Sequence, residues 1–147
     1  MENGWSGTAN AKPQRGQRAS RKRTTSMRDV EAFTEMTGDK NPIHYDGELA
    51  SKTALGGLVV QGGVTTGLLN AVVAEDLPGP GTVFLETNWR FKKAVRVGET
   101  IDAQIEVIHA RNDKPICTLN TRIVDSMGDT CVDGTAVTFT LPIRKSS

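Results

Sequence analysis

Thr37-Gly38-Asp39-Lys40-Asn41-Pro42-Ile43-His44-Tyr45-Asp46 places a carboxylate and an imidazole five residues apart in a segment that cannot be regular helix. Gly38 suits a helix C-terminus, because it takes the left-handed backbone conformation without a Cβ penalty. Pro42 donates no backbone N–H and pushes Asn41 out of helical geometry, so residues 39–44 are expected to form a fixed, extended bend. A stiff bend can bring the Asp39 and His44 tips to one small site, such as a held water. The plainer reading is an Asp/Asn/Pro loop with a surface histidine, since these residues dominate turns.

Working outward, Ser26 reads as an N-cap with Asp29 three residues on, opening a helix that runs to Thr37. Met27, Val30, Phe33 and Met36 recur at helical spacing and are expected to form its apolar face. Residues 18–25 read as a polar edge strand and 48–53 as a further helical turn. Gly62-Gly63 then leads into residues 64–76, where Val64, Leu68, Leu69, Val72 and Val73 mark a second helix with a wide apolar face. Its small residues suit a helix closely covered by a sheet. Leu77-Pro78-Gly79-Pro80-Gly81 ends it.

From residue 82 the period changes to two. Ile101, Ala103, Ile105 and Val107 alternate with Asp102, Gln104 and Glu106, the mark of a half-buried strand. Residues 82–93, 115–124 and 130–141 read as further strands joined by Gly- or Asp-bearing turns. One strand, a helix, an irregular stretch, a central helix and an antiparallel meander describe an α+β fold, a curved sheet wrapped around a helix.

The chain has 147 residues, enough for one domain with a real core. Its net charge of +1 hides an asymmetry: residues 1–26 hold six Lys/Arg and one acid. Residues 1–17 read as a flexible basic leader, disordered through residue 14, and 18–147 as a single domain. The leader has neither the interleaved aromatics nor the motif that nucleic-acid binding would need. No apolar run reaches the roughly 18 residues of a membrane span or forms the apolar core of a signal peptide, which leaves the cytoplasm as the default location. Cys117 and Cys131 read as buried thiols in neighbouring strands. Folding about the turn near residues 126–129 sets Cys131 opposite roughly Ile123, too far from Cys117 for a bridge, and no histidine spacing makes a zinc site. His109 reads as a surface strand residue, and Trp5 carries no specific signal.

Asp39 and His44 can hold and deprotonate a water, and Gly62-Gly63 opens a helix whose first N–H groups can stabilise a developing oxyanion. Glycine there lets a carbonyl approach closely, or equally makes a tight turn against a neighbouring strand. At this point the pattern Thr37-Gly38-Asp39-x-Asn41-Pro42-x-His44, the glycine entry to the second helix, its Leu77-Pro78-Gly79-x-Gly81 exit and the strand ending in Phe91-Lys92 resemble the MaoC-like (R)-specific enoyl-CoA hydratases of the hotdog superfamily. The resemblance covers about residues 18–142.

It implies a hotdog fold assembled as a homodimer, an acyl-CoA or acyl-carrier-protein thioester as substrate, and no cofactor or metal. It implies Asp39 and His44 as the catalytic pair and the Gly62 backbone N–H as the oxyanion donor. Asn41 is expected to support the loop. Relatives commonly carry His where Gln61 stands, and some carry a small hydroxyl residue where Asn70 stands; both are expected to support the site, Asn70 by hydrogen bonding into it.

Hotdog thioesterases typically place a carboxylate on the central helix near the thioester. Residues 64–74 contain no acid, which argues against hydrolysis. The remaining alternatives are a 3-hydroxyacyl-carrier-protein dehydratase, the same chemistry on another carrier, and a non-catalytic acyl-binding protein. Arg90, Lys92, Lys93 and Arg96 could meet the phosphates of coenzyme A or an acidic carrier, or simply form the solvated face of a strand.

Overall fold

Five strands form one antiparallel sheet in the order β1-β3-β4-β5-β2, with a central helix against its inner face, the hotdog arrangement. The computed structural model describes residues 3–144. The elements run β1 (Arg18–Thr24), α1 (Met27–Thr37), a short 3-10 turn (Pro42–His44), α2 (Gly47–Ser51) and α3 (Gly62–Ala71). A wide π turn (Val72–Asp76) extends α3, and β2 (Thr82–Phe91), β3 (Thr100–Ala110), β4 (Ile116–Asp125) and β5 (Thr130–Thr140) follow.

Local chemistry accounts for each boundary near the bend. Ser26 and Asp29 close a reciprocal capping box at the start of α1. Gly38 ends the helix at φ 83°, its N–H donating to Thr34 O at 2.7 Å. The buried face of α1 is Val30 and Thr34, one turn apart. Met36, expected on that face, is 75% exposed. Its position lies about 100° per residue past Thr34, on the solvent side of the stripe.

The strand alternation holds: Ile101, Ala103, Ile105 and Val107 all point into the core with Leu69, Val72 and Val73 of the central helix. Burying each such side chain contributes about 1.5–3 kcal/mol, so the helix and the sheet hold one another. The register of β4 and β5 slips at Ile123, which pairs with Val132 and leaves Cys131 in a bulge, while Cys117 lies opposite Thr138. Both thiols are free and buried.

The flexible leader is corrected. Residues 3–17 lie against the domain; residues 1–2, on which the expectation of disorder also falls, lie outside the described residues. Trp5 is 4% exposed within the core cluster, and its indole N–H donates to Arg111 O at 2.7 Å. Gly4 N bonds Asn112 O, Asn10 Nδ2 bonds Pro78 O, and Gly7 O accepts from Arg144 N. One aromatic ring supplies the apolar area that the surrounding Asn, Gly and Ala lack. The basic excess is also placed: Arg18 pairs with Glu106, Arg21 with Asp76 and Arg23 with Asp29. Exposed pairs of this kind contribute about 0–1 kcal/mol each, so Trp5 dominates the attachment.

Trp5→Ala is therefore expected to lower unfolding stability by about 3 kcal/mol in a denaturant titration. A free leader would give no change.

Candidate active site

The bend folds more tightly than its sequence suggests. Asn41 is extended before Pro42 (φ −52°, ψ 128°), and its carbonyl then accepts from His44 N to start a 3-10 turn. Asn41 Oδ1 takes the Ile43 N–H, and Asp39 Oδ1 takes the Asn41 N–H at 3.1 Å. Asn41 thus supports the loop, as its side chain permits. His44 is only 5% exposed, which removes the surface-histidine reading.

His44 Nδ1 lies 2.6 Å from Val59 O. A carbonyl can only accept, so Nδ1 carries the proton in the neutral ring and Nε2 keeps its lone pair. Nε2 has no protein partner among the described residues. Val59 is itself fixed: Val60 N bonds Val95 O, Val97 N bonds Leu58 O, and Val59 N bonds Ile43 O. The same short segment therefore orients the imidazole and delivers the chain to the start of α3.

Gln61 occupies the N-cap of α3 with extended backbone and makes no cap bond with its side chain. Neither Gly62 nor Gly63 has an acceptor for its N–H among the described residues, so two amide donors stand open at the positive end of the helix. Thr65 Oγ1 donates to Gly62 O at 2.6 Å. A Cβ on Gly62 would sit 2.8 Å from the Phe91 ring, and one on Gly63 would sit 2.2 Å from the Phe33 ring. Both glycines are thus required by packing, whatever approaches their amides.

A cavity of about 410 Å³ is lined by Ile43, His44, Val59, Gly62, Thr65 and Phe91, together with Lys92 and Lys93. His44 and Gly62 are therefore brought to one cavity. Asp39 is half-buried and does not line it within this one chain, although its Oδ2 has no partner among the described residues. Gln61 is buried beside the helix start. Asn70 is exposed, lies about 12 Å along the helix from Gly62, and does not reach the cavity; the expectation that it bonds into the site is corrected. Thr34 and Thr65 are site residues that no sequence motif marked, whereas Phe91 belongs to the quoted strand ending.

A larger concavity of about 580 Å³ lies across the outer side of the sheet, between Arg18, Asn88, Arg90, Asn120 and Arg122. It offers no imidazole and no helix start, and its carboxylates, Glu106 and Asp133, are paired with Arg18 and Lys92. Of the four basic residues that the sequence offered for phosphates or a carrier, Lys92 and Lys93 line the cavity of His44 and Gly62 while Arg90 lines the outer concavity. Three of the four are engaged within the chain. Lys92 pairs with Asp133, and Arg96 donates to the carbonyls of Leu55 and Gly56. Lys93 is held by Asp125 and then Asp129, which raise its pKa. Among the described residues no cluster of three or more His, Cys, Asp or Glu is placed to hold a metal ion, and no helix is long and apolar enough to cross a membrane.

The MaoC-like domain profile matches residues 8–127. An (R)-specific enoyl-CoA hydratase of Aeromonas caviae is 37% identical over 122 residues, 83% of this chain and 91% of that protein. One of Rhodospirillum rubrum is 31% identical over 129 residues, covering 88% of each chain. The solved structure of an (R)-hydratase from A. caviae superposes with a TM-score of 0.84 at 35% identity, covering 88% of this chain and 98% of that one.

Neither cysteine belongs to this site. Burial pushes the Cys117 thiol up to about 12, and burial together with the Asp125 and Glu99 charges pushes Cys131 up to about 11. At pH 8 both are expected to resist a thiol-specific disulfide reagent in the folded protein and to react once it is denatured, as followed by the released chromophore.

Proposed function

The chain belongs to the MaoC-like domain family, and on that footing we propose that it is an (R)-specific enoyl-CoA hydratase, adding water reversibly to trans-2-enoyl-CoA thioesters to give (R)-3-hydroxyacyl products. The observation that carries this reading is the shared cavity. It is walled on one side by an imidazole with a free lone pair and on the other by a helix-start amide that lacks an acceptor.

Water is a poor nucleophile, and its attack at C3 drives electrons through C2 onto the thioester oxygen. Asp39 and His44 hold the water and take its proton as the O–C3 bond forms, with Nε2 of the neutral imidazole as an acceptor. The Gly62 N–H, reinforced by the start of α3, receives the enolate oxygen. One such donor contributes about 3–4 kcal/mol to a transition state. The carbonyl then re-forms as C2 gains a proton, so hydration consumes no net proton. Dehydration retraces the same steps. No redox step occurs, and no cofactor enters.

The functional unit is a homodimer. β2 is one edge of the sheet, with its outer backbone groups unpaired. Val83, Leu85 and Phe91 stand on that strand 47%, 57% and 61% exposed. A long apolar edge is a pairing surface unless something covers it, and a second β2 supplies both hydrogen bonds and apolar contact. Phe91 also lines the cavity, so the pairing surface and the substrate site adjoin.

Purified protein mixed with crotonyl-CoA is expected to remove the ultraviolet absorbance of the enoyl thioester and to form only the (R)-alcohol, without releasing thiol. Asp39→Asn and His44→Gln are each expected to lower kcat by about a thousandfold. Thiol release with retained absorbance chemistry elsewhere would indicate hydrolysis, and binding without turnover would indicate an acyl-binding protein. Leu85→Lys is expected to shift the protein from dimer to monomer in sedimentation velocity.

A further inference from the structure

Gln61 stands where the helix cap should be, yet its side chain turns away from the helix it begins. Its Nε2 donates to Val30 O at 3.1 Å and to Thr34 Oγ1 at 3.3 Å, both on α1. The Thr34 hydroxyl donates to Asp39 O at 2.7 Å and is bonded to the Tyr45 hydroxyl. One hydroxyl offers one donor and two lone pairs, and all three are used. Asp39 O takes the proton, so Tyr45 and Gln61 must both donate. That also fixes which end of the Gln61 amide is nitrogen. This single buried point joins α1, the Asp39–His44 loop and the residue before Gly62.

We propose that Gln61 and Thr34 are positioning residues for hydration, a clamp that sets the distance between the acid–base loop and the Gly62 amide. The inference rests on the function proposed above. The amide in question belongs to the Gln61–Gly62 peptide, so holding the Gln61 side chain holds the plane of the oxyanion donor. Thr34 meanwhile holds the carbonyl of the catalytic Asp39 itself.

The second observation is a defect. Gln61 Oε1 is buried with no hydrogen-bond partner among the described residues. A buried carbonyl left unpaired destabilises a fold, and an apolar side chain of similar shape would not carry that penalty. Replacing Gln61 strands nothing: Thr34 keeps Asp39 O and Tyr45, and Val30 O remains within α1. The two hydrogen bonds of Nε2 are offset by the unpaired Oε1, so stability alone gives little reason to have glutamine here. Geometry at the site gives one.

The test compares the full-length wild type with Gln61→Leu, Thr34→Val and Thr34→Ser, using crotonyl-CoA hydration and thermal unfolding. Gln61→Leu is expected to keep or raise Tm while kcat falls about 10- to 100-fold with KM within about twofold, since displacement of about 1 Å acts on the transition state. Thr34→Val is expected to lose kcat likewise, and Thr34→Ser, which keeps the hydroxyl, to recover most of that loss. Wild-type kcat in Gln61→Leu overturns the clamp, as does a Tm that falls in step with kcat. A Thr34→Ser loss equal to that of Thr34→Val overturns it too, because the methyl group would then matter rather than the hydrogen bonds. A wild type that leaves the thioester unhydrated refutes the underlying function, a result separable from all three variants.

Discussion

A helix cannot satisfy its own first amides, and α3 begins on a residue that declines to cap it. Gln61 sends its side chain to α1, and the N–H groups of Gly62 and Gly63 are left without acceptors. Much of the surrounding structure keeps that end open and in place. Val60 and Leu58 are pinned to the strand-like segment at Val95 and Val97. The rings of Phe91 and Phe33 pack directly on the two glycines, so no side chain can grow there to fill the gap. His44 is drawn in by Val59, two residues before the cap. The same short stretch therefore sets both the open amides at the helix start and the orientation of the imidazole that lines the same cavity.

What the sequence disclosed was local. Ser26 with Asp29, Gly38, and Pro42 after Asn41 each act within a few residues, and each falls where its chemistry requires. The alternation from Ile101 to Val107 states a burial pattern directly. His44 and Gly62 could be paired only through the family resemblance, because no spacing rule brings residues 18 positions apart to one cavity. Thr34 escaped notice for the same reason, and Gln61, though expected to support the site, gave no sign of its partner: their bond spans 27 residues, and a threonine inside a helix looks like any other. Met36 was misplaced because four apolar residues at regular steps of three drift around a helix of 3.6 residues per turn. Asn70 was suggested by the family resemblance rather than by anything in its own neighbourhood, and it is exposed.

Composition misled at the N-terminus. Asn, Gly, Ala and Gln are what disordered segments are made of, but a single buried indole anchors residues 3–17 to the end of the sheet. Half of the six basic residues in 1–26 are answered inside the molecule, Arg18, Arg21 and Arg23 by Glu106, Asp76 and Asp29. Charge counted along a chain says little about charge displayed on a surface once partners distant in sequence are folded beside it.

The bond between Gly7 O and Arg144 N brings together the two ends of the described residues. They meet beside Pro78 and Arg111, past the C-terminal end of the central helix, whereas the cavity of His44 and Gly62 sits at its beginning. From Gly62 to Asp76 the helix separates these places by roughly 20 Å. A fusion partner, surface tether or fluorescent label grafted onto either terminus would leave the mouth of the cavity clear for a bulky carrier. The molecule can be held by both ends and still work.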